Sequence, residues 1–289
     1  MFPSADRNME FPGDSAFRNT LPSKTTTDRE DVMSIVESSL TIATQLWMSH
    51  VVRGFLSGRV GNELLRCCLL EMVAAAEMCG VSFELSFVNA HFGIWAWSFC
   101  VFLLIMWRER SWAGTSACPY TLLEQYVEGG TRPFHVFLKI LCQLSGAMVS
   151  CRWVRRLWMA EAKATHVAEC SADLQVPVVL GFLIEALLTC ACRLCSRTLG
   201  ELQPKFASAI DSFFTTAMVI LAFNYSGGYF NPVLATGLKW SCRGHTHAEH
   251  IVVYWAGSIL GAMLSLRVWT TPSLKNAILA PFKPKTKYQ

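Results

Sequence analysis

Six apolar runs, at about 67–85, 91–107, 134–151, 176–195, 206–226 and 251–270, are each close to bilayer-crossing length. Nothing else constrains this chain as much. Backbone surrounded by lipid has to satisfy its own hydrogen bonds, and helices are how a chain with long apolar runs does so. Composition agrees. Charged residues make up 16% of the 289, against about 25% in an average globular protein. That excludes an ordinary soluble enzyme and also excludes disorder over most of the length. A net charge of +4 is too small to point to nucleic acid. The chain reads as an all-α membrane protein whose first partner is the lipid bilayer.

The remaining segments divide the chain. Residues 1–31 are polar, lack periodicity and read as a disordered arm, with no apolar signal-peptide core near Met1. Residues 32–60 form a striped helix. Val32, Val36, Leu40, Ala43, Trp47 and Val51 recur at helical spacing, opposite Glu37, Thr41, Gln45 and Ser49. An amphipathic helix lying in the membrane interface is the reading taken, and a seventh span is the alternative. A first repeat (65–152), a connecting loop (153–175), a second repeat (176–272) and a basic tail (273–289) follow. Most of the twelve cysteines fall in or at the ends of apolar runs and act as small helix residues. Cys170 and Cys242 lie in polar connections, where the sequence leaves a bridge between them open.

Two connections hold half-length apolar pieces begun by proline: Cys118-Pro119-Tyr120-Thr121-Leu122-Leu123 and Asn231-Pro232-Val233-Leu234-Ala235-Thr236. Proline suits the first helical turn, where its missing N–H removes no bond. Each piece reads as a short re-entrant helix. Glu71 precedes Cys118 by 47 residues and Glu185 precedes Asn231 by 46. The third and sixth spans share small-residue runs, Gln143-Leu144-Ser145-Gly146-Ala147 and Gly257-Ser258-Ile259-Leu260-Gly261-Ala262. Three spans per half is odd, so the second copy enters from the opposite side. That is an inverted repeat whose broken elements meet at mid-membrane, the plan of a pore or transporter.

These residues resemble the aquaporin (major intrinsic protein) family over roughly 65–270. Ser226-Gly227-Gly228-Tyr229-Phe230-Asn231-Pro232-Val233 is similar to the family's second Gly-rich lead into Asn-Pro-Ala. Glu185 with Thr189 resembles its fourth-span Glu-x-x-x-Thr element, and Glu71 matches in the first span, with Ala75 in place of the threonine. The resemblance implies six spans plus two half-helices, and support roles for Glu71, Glu185, Thr189, Gln143, Gly146 and Gly261. It departs in three places. The first box is Cys118-Pro119-Tyr120, the second ends in Val233, and Leu234 stands where a filter arginine is usual. Such departures look like the superaquaporin branch of intracellular membranes.

The resemblance further implies a homotetramer with a pore in each protomer, passing water and small neutral solutes without a cofactor. Each half-helix N-terminus would bring about half a positive charge to the midplane and repel cations. Pro119, Tyr120, Pro232 and Val233 would flank that constriction. Asn231 would offer an amide donor to water, whereas Cys118 is a weak donor and a poor cap. Leu234, Val219 and Gly228 fall at filter positions, with Ser98 a candidate for another, and make an opening less polar than usual. Glycerol or hydrogen peroxide then become candidate solutes.

Other features carry less. Asp211 in the fifth span lines the pore or pairs with Lys139 or Arg193. Cys192 and Cys195 have redox spacing but no second pair for a metal, and His245, His247 and His250 make a His-rich loop. Asn224-Tyr225-Ser226 is a sequon set too deep to modify. Loop charges, twelve Lys and Arg (Arg108 and Arg197 among them) against six, place both termini in the cytosol. Lys285 and Lys287, five and three places from the end, resemble a dilysine retrieval signal of the endoplasmic reticulum. Two alternatives to a channel are a non-conducting scaffold on the same fold and a thiol redox protein using Cys192 and Cys195.

Overall fold

The computed structural model describes residues 24–112, 114–160 and 170–282. The described residues are helical, with one isolated bridge between Ser171 and Arg243. In order they form α1 (Lys24–Arg59), α2 (Glu63–Ser111), α3 (Pro119–Val127), α4 (Pro133–Ala160) and α5 (Val178–Leu202). These are followed by α6 (Ala207–Ala222), α7 (Pro232–Lys239), α8 (His247–Thr270) and α9 (Pro272–Leu279). Residues up to Leu40 form one compact unit and those from Thr41 a second, which holds everything described below.

α2 contains the first two spans. It breaks at Gly93, where φ is 74° and ψ 177°. Nothing lies within 4 Å of a Cβ built there, so it is the positive φ and not crowding that requires glycine. One residue therefore does the work of a loop. The two limbs of α2 with α4, α5, α6 and α8 make six crossing helices. The Pro-led pieces form α3 and α7, of 9 and 8 residues, each only about 12–14 Å long at 1.5 Å per residue.

The two halves are locked by the same contact. A Cβ on Gly146 would stand 2.1 Å from the Met72 carbonyl oxygen, and one on Gly261 the same 2.1 Å from that of Ala186. Small residues let backbones approach this closely in membrane bundles. α4 thus seats on the first limb of α2 as α8 seats on α5.

Part of the segment read as an interfacial amphipathic helix packs against protein. From Thr41 on, α1 runs antiparallel along the first limb of α2. Ile42 and Leu46 pack with Val81, Leu85 and Leu104, Gln45 reaches the face of Gly80, and Arg53 pairs with Glu77 at 2.7 Å. Trp47, Met48, Val51 and Phe55 face outward. On its polar side Arg53 finds a partner in protein, whereas Glu37 is exposed.

Other boundaries move too. α1 starts at Lys24, inside the segment read as an arm, and α4 continues to Ala160, inside the segment read as a loop. Pro272 starts α9 within the basic tail, where Lys275 meets Glu201 at 3.0 Å. Lys285 and Lys287, and residues 1–23, lie outside the described residues.

Candidate functional site

The half-helices begin at matched, strained entrances. Ala117 and Phe230, each just before its cap, adopt left-handed φ values of 47° and 48°. A non-glycine residue there costs about 1–3 kcal/mol. A buried carboxylate holds each in place. Glu71 accepts from the N–H groups of Ser116 (3.2 Å) and Ala117 (2.9 Å) and from Gln143 Nε2 (2.8 Å). Glu185 accepts from Ser226 Oγ (2.7 Å) and from the N–H groups of Tyr229 (3.2 Å) and Phe230 (2.8 Å). Three hydrogen bonds to one buried carboxyl, each worth about 1 kcal/mol net, offset the strain. Thr189 is buried beside Glu185 on α5 but has no side-chain hydrogen bond among the described residues.

The caps differ. Asn231 Oδ1 accepts from Val233 N (3.0 Å) and Leu234 N (3.4 Å). Cys118 makes no side-chain cap bond, and its own N–H meets Ser116 Oγ at 3.4 Å. One expectation changes here. Asn231 Nδ2 does not stand free for a solute: it donates to the Ala117 carbonyl at 3.0 Å and lies 3.4 Å from Met78 Sδ. It ties one half-helix entrance to the other.

A cavity of about 490 Å³ passes this junction. It is lined by Ser86, Asn89 and Lys239 at one end, by Cys118 and Asn231 in the middle, and by Ser196 and Asp211 at the other end. Tyr120, Leu234, Val219 and Gly228 line it as well. Pro119, Pro232 and Val233 do not; they start the half-helices and are buried in the packing around them. Nor does Ser98, whose hydroxyl donates to the Trp95 carbonyl at 3.0 Å, while Trp97 lines the cavity. Asp211 pairs with neither Lys139 nor Arg193: both its oxygens accept from Ser196 Oγ at 2.9 Å. Arg193 instead grips Glu124 of α3 through Nε (3.2 Å) and Nη2, and Arg197 adds a second contact at 3.2 Å.

One mouth carries a Cys170–Cys242 disulfide. Beside it Lys239 pairs with Asp173 at 2.9 Å, and the Tyr229 hydroxyl donates to Asp173. Cys192 and Cys195 remain free thiols. In the histidine loop His245 Nε2 lies 3.0 Å from His250 Nδ1, and His250 Nε2 lies 3.2 Å from Thr236 Oγ1. Burial lowers the His245 pKa from its usual range. No group of three His, Cys, Asp or Glu suited to a metal occurs among the described residues.

Known proteins are similar to this chain. Aquaporin-12 of Mus musculus is 28% identical over 246 residues, covering 81% of this chain and 80% of its own length. Aquaporin-11 of Milnesium tardigradum is 26% identical over 214 residues, 72% and 77% of the two chains. The X-ray structure of the aquaglyceroporin from Plasmodium falciparum superposes with a TM-score of 0.60 at 15% identity, over 75% of this chain and all of that one. The chain is similar to aquaporins over most of its length and shares their fold. No family model matches it. The half-helices, glutamates and glycine contacts fit an aquaporin-like channel in a membrane.

Sequence reasoning missed three parts of this site. Arg108 was counted as a charge setting sidedness, yet it lines the cavity. Glu124 was passed over within α3, and the pairing of Arg53 with Glu77 joins segments read as separate. A charge inside an apolar run was the available signal for Glu77; its partner was not readable.

Proposed function

We propose that the cavity is the conducting path of a passive channel for water and for small neutral solutes such as glycerol or hydrogen peroxide. The observation that carries this reading is a single cavity lined from both ends and crossing between the two half-helix N-termini. Two converging positive dipole ends disfavour cations, while waters turn their oxygens toward them. Leu234, Val219 and Gly228 put apolar or small groups at the positions where the resemblance places the filter, which suits solutes bulkier than water. Stopped-flow swelling of liposomes containing the purified full chain tests this with water, glycerol and peroxide. Faster flux than in empty liposomes supports the channel; no difference favours a non-conducting scaffold.

By the same reading the protein is a homotetramer, not an enzyme, resident in the endoplasmic reticulum. The disulfide supports the sidedness, since such bridges persist in oxidising compartments. α8 starts at the disulfide side and runs away from it, which directs the tail toward the cytosol. There Lys285 and Lys287 are readable as a retrieval address. Replacing both by Ser should release the protein to later compartments; unchanged residence sinks the address.

A further inference from the structure

The family's filter arginine is missing at Leu234, but the cavity is not without cations. Among the described residues Arg108, Arg193 and Lys239 line it. Two of the three are neutralised. Arg193 is held by Glu124, and Lys239 pairs with Asp173. Arg108 has no ion pair among the described residues.

Its setting explains why. The Arg108 guanidinium lies over the indole of Trp112, with Cζ 4.4 Å from the ring centroid. Trp112 Nε1 donates to Glu77 Oε1 at 2.9 Å, and Trp107 Nε1 donates to the same oxygen at 3.1 Å. The other Glu77 oxygen takes Arg53 at 2.7 Å. Glu77 is therefore fully engaged by α1 and two indoles. The Trp112 ring, packed and hydrogen-bonded, becomes a fixed platform for a cation with no carboxylate to rest on.

The depth of that cation follows from the same chain of contacts. Glu77 adjoins Met78, whose sulfur touches Asn231 Nδ2. Arg108 thus stands near the level of the central junction, on the side of Cys118, where α3 lacks a side-chain cap. The Asn231 amide is spent on the Ala117 carbonyl, so a solute passing here meets the guanidinium as its donor.

We propose that Arg108 is the specificity-determining cation of this pore. It performs from the second limb of α2, near the central junction, the charge selection that Leu234 no longer supplies at the mouth. A guanidinium donates five N–H bonds and accepts none. A neighbouring water has to turn its oxygen toward it, which breaks a chain of proton transfer. Neutral solutes rich in oxygen acceptors pass over the same donors, and small cations are repelled.

This inference rests on the channel reading, and the experiment separates the two. The full chain is reconstituted in liposomes as wild type, R108A, R108Q and R108K, with folding checked by gel filtration and circular dichroism. Water flux is read by light scattering and proton flux by an enclosed pH dye. R108A is expected to raise the ratio of proton to water flux about tenfold or more. R108Q keeps a long neutral side chain and should match it, and it carries the test if R108A misfolds. R108K, which keeps the charge, should stay within about threefold of wild type. A conducting wild type whose ratio is unmoved in the folded neutral variants overturns the inference and leaves the channel standing. R108K leaking as freely as R108A overturns it too, by making shape and not charge the cause. A wild type no more permeable than empty liposomes overturns the channel reading, and the filter with it.

Discussion

The entrances of α3 and α7 are built alike and finished differently. Each has a left-handed residue before the cap, a proline at the first turn and a buried glutamate taking three hydrogen bonds. Only α7 is capped by its own side chain; Cys118 leaves α3 uncapped. The lesson is that the inverted repeat is enforced by backbone and carboxylate, while the residue at the cap is free to vary. Asn231 compensates by reaching across to Ala117. The unfilled half is also where Arg108 lines the cavity.

The largest test of the shared part removes the carboxylates. Glu71→Ala and Glu185→Ala each strand three donors, and each is expected to cost about 3–5 kcal/mol. Thermal unfolding in detergent measures it, and a loss confined to one variant would break the symmetry. Gly146→Ala and Gly261→Ala come next. Each drives a methyl group into a carbonyl 2.1 Å away, for about 1–3 kcal/mol by overpacking, again in matched amounts.

The unequal part is probed by Asn231→Ala against Cys118→Ala. The first loses a cap, at about 1 kcal/mol, and also the bond to Ala117. Its water permeability should fall further than that of Cys118→Ala, and equal losses would remove the asymmetry. Acidification gives the smallest effect. Burial lowers the His245 pKa below the usual 6.5, so the unfolded chain takes up its proton first. Stability should then decline as pH falls below about 6.5. Glu249 and Asp173 oppose this shift, and His247 and Lys239 reinforce it. A melting temperature flat between pH 7 and about 5, or one that falls equally in His245→Gln, would remove His245 from the account.

Much of the fold was legible because membranes restrict the options. Apolar length gave the spans, proline the half-helix starts, and Glu71 and Glu185 their supports. What stayed hidden depended on partners distant in sequence. The stripe on 32–60 has the same pattern whether its polar side faces water or a bundle, and a contact such as the Arg53–Glu77 pair is not readable from it. Asp211 had two candidate partners and took neither, because Ser196 lies one helix away at the right height. Ser98 stood at a plausible filter position, yet its hydroxyl turned back to its own helix and Trp97 faced the cavity instead.

The sequence by itself determined an all-helical membrane protein with two inverted halves, since spacing and hydropathy are local and lipid tolerates few backbones. Which charges face the path was decided only by tertiary structure. Arg108, Arg193 and Lys239 are alike in sequence, each a cation within or at the end of a largely apolar helix. Packing gives two of them a carboxylate and leaves Arg108 on an indole, because the carboxylate beneath that indole is already taken by α1. A charge acquires its role from what remains unpaired beside it, and no single stretch of sequence contains that sum.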